Sequence, residues 1–167
     1  MDAPAEKRPV KIEVKNLTKK FGDLLVLDNL NFTIGENEFV CVVGPTGCGK
    51  TTFLNVLTRI YEPTEGDLLI DGAPADPQKH SISFVFQEQS AFPWLTVEEN
   101  IAFGLKVKKL NKDEIAARVE RILDFMGLQN YRKAYPRELS VSVVQRVIIG
   151  RSFAMQPDLL LMDEPYG

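Results

Sequence analysis

The chain has 167 residues, 44% hydrophobic and 26% charged, which suits a single folded domain with a core of its own. Its 20 Lys and Arg against 23 Asp and Glu leave a net charge of −3, which speaks against nucleic acid as a main partner. Its 2 cysteines, Cys41 in an apolar run and Cys48 in a loop, do not make a disulfide scaffold, and a reducing compartment is the default.

Residues 1–9 are polar and Pro/Ala-rich, expected as a loose tail without the apolar stretch of a signal peptide. No segment reaches the roughly 18 apolar residues of a membrane span, so work at a membrane would run on its surface through a partner. Val10, Ile12 and Val14 alternate, which predicts a strand over Val10–Leu17. Leu24–Leu30 and Asn31–Ile34 read as further short strands before a turn at Gly35-Glu36-Asn37-Glu38. Phe39–Val43 is a continuous apolar run, expected as a strand buried on both faces. Phe53, Leu54, Leu57 and Ile60 then mark a helix over Lys50–Ile60. Leu68–Ile70 with Asp71-Gly72 predicts a strand and tight turn, and Ile82–Phe86 another strand.

Residues 88–110 are mixed and aromatic-rich, with Lys106, Lys108 and Lys109 read as a solvated helix end or loop. Asn111 with Glu114 predicts a helix start, the stripe Ile115, Val119, Ile122, Leu123, Met126 its buried face, and Gly127 its stop. A second helix is expected from about Ser140 to Met155, ended by Pro157, and Leu159–Met162 as a buried strand. The sum is an α/β pattern with four parts: tail 1–9, core 10–87, helical subdomain 88–155, and a strand returning to the core over 156–167.

Gly44-Pro45-Thr46-Gly47-Cys48-Gly49-Lys50-Thr51 fits the phosphate-loop spacing G-x-x-x-x-G-K-[ST], with Thr52 next in the helix. The glycines let backbone N–H groups turn inward around phosphate oxygens, and the helix start adds its dipole. Lys50 is placed to reach the β- and γ-phosphates and Thr51 to offer its hydroxyl to Mg²⁺. The competing reading is a Gly-rich turn that binds nothing, and the motif does not say which nucleotide. Leu159–Met162 delivers Asp163 and Glu164 at a strand's C-terminal end, where α/β sheets hold ligands. Asp163 would hold Mg²⁺ and Glu164 would polarise the attacking water; alone, the pair could be a solvated acidic turn.

In this order the motifs resemble the nucleotide-binding domains of ABC transporters, over about Val10 to Gly167. The resemblance implies a P-loop NTPase fold with N-terminal antiparallel strands, a mixed core sheet and a helical insert. It implies that Phe21 stacks on adenine; the competing reading is a core phenylalanine. It implies that Gln87, in Phe84-Val85-Phe86-Gln87-Glu88, is the Q-loop glutamine that touches Mg²⁺ and senses the membrane partner. Leu139-Ser140-Val141-Ser142-Val143-Val144-Gln145-Arg146 stands at the signature, so Ser140, Ser142 and Gln145 would contact ATP held by a second nucleotide-binding subunit. Phe92-Pro93-Trp94-Leu95-Thr96-Val97-Glu98-Glu99-Asn100 and Met162-Asp163-Glu164-Pro165-Tyr166-Gly167 resemble the nitrate/sulfonate/taurine importer branch. In that setting residues 87–100 would face a transmembrane permease, at the cytoplasmic face of the inner membrane.

Two departures bear on activity. The family has two glycines where this chain has Val141 and Ser142, which predicts a weakened contact across the dimer, with Ser140 still able to cap its helix. The family also continues past the position of Gly167 with an Ala-Leu-Asp loop, a strand and a switch histidine. The expectation is therefore a C-terminally truncated product with an incomplete core sheet; His80, the single histidine, lies too early in the chain to serve. Two functions follow: an ATPase subunit driving solute import, or an ATP-binding module with little or no hydrolysis. A soluble relative acting in DNA repair or translation is disfavoured, since no long coiled coil or second cassette is present.

Overall fold

The computed structural model describes residues 8–77, 79–86 and 90–165, and the chain divides into two compact units, residues 1–80 and 81–167. In the first unit, β1 (Val10–Phe21) and β2 (Leu24–Gly35) form an antiparallel hairpin, closed where Phe21 pairs with Leu24. β3 (Glu65–Ile70) pairs with the other edge of β1, placing Ile70 opposite Ile12 and Leu68 opposite Val14. Asp71 and Gly72 then both take positive φ (52° and 75°), as a type I′ turn requires, and lead into β4 (Ala73–Pro74). The sheet order is β2-β1-β3-β4. The two short strands expected over 24–34 are one strand. Asn29, at φ 46°, absorbs the irregularity while its N–H is taken up by Thr18 Oγ1 at 3.1 Å.

Residues 39–43 correct an expectation: they form no strand, and Phe39 and Val43 are 96% and 86% exposed. A strand buried on both faces needs a neighbour along each edge, and in this unit the described strands pair only with one another. Helix α1 covers Lys50–Leu57, shorter than the apolar spacing suggests. The Thr58 hydroxyl bonds back to Leu54 O (3.2 Å), and Arg59 turns left-handed at φ 59°, leaving Ile60 exposed. Phe53, Val56 and Leu57 are buried, each burial worth about 2 kcal/mol, and the Phe53 ring lies 5.5 Å from that of Phe32 on β2. This seats the helix on the hairpin.

In the second unit β5 (Ile82–Val85) and β6 (Leu159–Met162) run parallel, Ile82 opposite Leu159 and Val85 opposite Met162. Helix α2 (Val97–Val107) lies within the aromatic-rich stretch 88–110, where the sequence pattern predicts no single element. Its signal was the capping box Thr96-Val97-Glu98-Glu99, hidden by the aromatics before it. Lys106, Lys108 and Lys109 lie exposed at its C-terminal end, as expected. Helix α3 (Lys112–Phe125) starts as expected: Asn111 Oδ1 accepts from Glu114 N at 2.8 Å, while the Glu114 carboxylate turns to Arg118. Gly127, at φ 63°, ends it, and Arg146 Nη1 donates to Met126 O at 2.9 Å. Helix α4 covers Val141–Ala154. Ile101 and Leu105 of α2, Leu123 of α3, Leu128 in the connection after α3, and Val147 of α4 share one core; Val85 and Ile148 belong to a second that ties α4 to β5.

Candidate nucleotide site

The loop before α1 is wrapped. Cys48 N–H donates to Pro45 O at 3.2 Å, closing a turn, and Phe53 N–H donates to Gly49 O at 2.8 Å, the first bond of the helix. Gly47 (φ 81°) and Gly49 (φ 98°) hold left-handed conformations that side chains rarely adopt. Gly49 has a second reason to be glycine. A Cβ there would meet Leu27 Cδ2 at 3.0 Å and the Val26 carbonyl at 3.1 Å, so the loop rests against β2. Gly49 is also the helix N-cap and has no side chain to bond the helix start. The N–H groups of Lys50, Thr51 and Thr52 precede the reach of intrahelical bonding and stay available to an anion.

Lys50 curls over this loop. Its Nζ donates to Gly44 O at 2.9 Å and to Pro45 O at 3.1 Å. An ammonium has three donors, so one remains for a phosphate oxygen. Thr46, Gly47, Cys48 and Thr51 are exposed, whereas Gly44, Gly49, Lys50 and Thr52 are half-buried. No acidic residue stands in the first turn of α1 to oppose a bound anion.

At the end of β1, Phe21 is 40% exposed, edge-on to Tyr61 with ring centroids 5.2 Å apart. Lys19 Nζ lies 4.8 Å from the Phe21 centroid, so Phe21 is a surface aromatic, not a core residue. Sequence reasoning missed Tyr61 and Lys19, which sit near Phe21 only through the fold.

The acidic pair and the signature lie in the second unit. Asp163 is buried at the end of β6, and its N–H donates to Val85 O at 2.9 Å, extending the ladder past the strand. Glu164 follows in a left-handed conformation (φ 43°) that turns it outward, and it is exposed. At the head of α4, Ser140 and Ser142 are exposed and Gln145 is half-buried. Ser140 occupies the N-cap position but, contrary to expectation, its side chain does not cap the helix; Ser140 Oγ and Ser142 Oγ lie 3.1 Å apart. Val141 between them is 67% exposed. Gln87 lies outside the described residues. Among the described residues no helix is long and apolar enough to cross a membrane.

Comparison with known proteins meets this geometry. The profile of the ABC transporter family matches residues 27–167. An uncharacterized ABC transporter ATP-binding protein of Methanocaldococcus jannaschii is 40% identical over 166 residues, 97% of this chain and 62% of that protein. The sulfate/thiosulfate import ATP-binding protein of Mycobacterium tuberculosis is 39% identical over 159 residues, 93% of this chain and 45% of that protein. This chain thus spans 62% and 45% of the length of these two relatives. A solved dimeric ATP-binding cassette in a post-hydrolysis state, bound to ADP and Pi, superposes with a TM-score of 0.80 at 34% identity. The match covers 93% of this chain and 74% of that one. The wrapped phosphate loop, the α/β P-loop NTPase architecture and these matches agree: the chain belongs to the ABC transporter family.

Proposed function

We propose that this chain is the ATP-binding part of an importer ATPase, coupling ATP hydrolysis to uptake of a small solute. The observation that carries it is the Lys50 ammonium on the Gly44 and Pro45 carbonyls of a wrapped loop, a cradle ready for a triphosphate. Gly44 to Thr52 bind the phosphates and Phe21 takes the adenine. Thr51, Gln87 and Asp163 would hold Mg²⁺. Mg²⁺ supplies charge neutralisation on the phosphates when bound. Glu164 orients the attacking water. Ser140, Ser142 and Gln145 reach ATP on a second nucleotide-binding subunit, and the ADP-bound dimeric relative supports that pairing.

Residues 87–100 would meet a transmembrane permease, which places the chain at the cytoplasmic face of the inner membrane. The Phe92-Pro93-Trp94 and Met162-to-Gly167 wording supports a nitrate/sulfonate/taurine-type solute; one relative is named for sulfate and thiosulfate import.

A second reading rests on Val141. Its exposed branched side chain stands where close backbone approach to a partner's γ-phosphate is needed, which favours ATP binding with little hydrolysis. Phosphate release separates the two. On the ATPase reading, Glu164→Gln lowers release at least about 100-fold while ATP binding persists. Bound ATP without turnover in the parent protein supports the second reading, and turnover unchanged by Glu164→Gln removes Glu164 from the chemistry.

A further inference from the structure

Arg151 lies near the end of α4, and the site above does not use it. Its Nη2 donates to Ser90 Oγ at 3.1 Å, and its guanidinium carbon stands 4.6 Å from the centroid of Phe92. Nη1 is buried and has no hydrogen-bond partner among the described residues, and burial pushes the guanidinium below its usual basicity. A buried donor left unpaired is costly, so an apolar side chain would be the better core filler here. The return is the planar cation over Phe92.

Phe92 in turn stacks on Trp94, centroids 5.5 Å apart and planes 30° apart, and packs on Phe103 of α2 at 4.6 Å. The backbone beneath is fixed independently. Asn100, fully buried, accepts from Phe92 N–H (2.8 Å) and donates toward the carbonyls of Phe92, Leu95 and Thr96 (3.1, 2.9 and 3.0 Å). Trp94, the single tryptophan of the chain, nevertheless stays 69% exposed. An apolar ring held to the outside on a pinned loop has already met most of its ordering cost, which is what a preorganised contact requires.

We propose that Arg151 is a positioning residue for Trp94: acting through Phe92, it fixes the indole as a presented contact and ties that surface to α4, the helix that begins at Ser140. That a permease is what meets this surface rests on the reading above; the positioning itself is measured on the purified protein without nucleotide or partner. Trp94 fluorescence and acrylamide quenching report it directly, and Trp94→Phe serves as the blank. In Arg151→Met, with helicity preserved, quenching is expected to rise by up to about 1.4-fold, the most that an indole already 69% exposed can gain in accessibility. Arg151→Lys, which keeps a cation over the ring, is expected to recover part of the protection; a purely space-filling role predicts no such recovery. Should Arg151→Met lose helicity, Phe92→Leu keeps the arginine, removes the ring, and must give the same rise. Unchanged quenching in a folded Arg151→Met or in Phe92→Leu overturns the proposal.

Discussion

Helices α1 and α2 begin in opposite ways. α1 starts at Gly49, which has no side chain to offer, and its first turn holds no acid. α2 starts at Thr96, whose hydroxyl accepts from Glu99 N–H, while Glu99 Oε2 accepts from the Thr96 N–H (2.8 Å) and hydroxyl (2.9 Å). Its first turn also carries Glu98 and Glu99. One helix end leaves its donors open beneath a lysine; the other answers them from within and surrounds them with negative charge. An anion-binding helix start is therefore made as much by what the chain withholds as by the dipole every helix has. The head of α4 shares both features of α1, with no acid in its first turn and a serine that does not cap.

The largest effect that tests this contrast is expected at Lys50. Removing the ammonium in Lys50→Ala takes away one charge-assisted bond to phosphate and the two bonds that close the loop. ATP affinity, titrated with a fluorescent analogue, is expected to fall about 100-fold, near 2.7 kcal/mol. Affinity unchanged in a folded variant would mean that the open start of α1 is not an anion site, and its difference from α2 would carry no function.

The next effect belongs to α4. In the double variant Val141→Gly, Ser142→Gly the branched side chain is gone and the backbone amides are free to approach a partner's phosphate. Replacing Val and Ser by two glycines in a helix costs about 0.5–1 kcal/mol, so the melting temperature is expected to drop. Phosphate release is expected to rise about tenfold all the same, equivalent to about 1.4 kcal/mol. Stability and turnover moving in opposite directions is the signature of the idea. Turnover that falls together with stability would show that Val141 does not limit the contact.

The phosphate loop was legible because its constraints are local. Gly47 and Gly49 sit at positive φ, and the lysine bonds to carbonyls five and six residues back, so spacing alone encodes the shape. The hairpin strands, α3 and α4 were legible for the same reason, as alternation or helical stripes with local stops. Residues 39–43 were misread because an apolar run states only that burial would be favourable; the neighbours that make a strand come from elsewhere in the chain. α2 is hard to read from the sequence although its capping box is local, because the aromatics at Phe92 and Trp94 obscure the period. Its real start shows in the buried Asn100, whose carboxamide binds four backbone groups that only the folded loop assembles. Tyr61 beside Phe21 and Arg151 beside Phe92, 40 and 59 positions apart in number, were invisible to any pattern of spacing.

The smallest effect sharpens the α2 side of the contrast. The Thr96 N–H and hydroxyl hold the Glu99 carboxyl below its usual value of 4.5. A carboxylate depressed in the folded state stabilises above its unfolded pKa, and that contribution fades as pH falls through 4.5 and then through the folded value. Glu99→Ala is therefore expected to melt about 1–2 °C lower than the parent at pH 7. The gap should narrow as pH falls below 4.5 and close once the pH is below the depressed folded value, where the parent's own carboxyl is protonated and the box is open in both proteins. ATP affinity at pH 7 should not move, because opening α2 removes a cap without supplying a lysine or a wrapped loop. A melting gap that stays constant throughout an acid titration from pH 7 downward would assign the effect to packing of the side chain. The closed start of α2 would then owe nothing to charge, and only the open start of α1 would remain an electrostatic device.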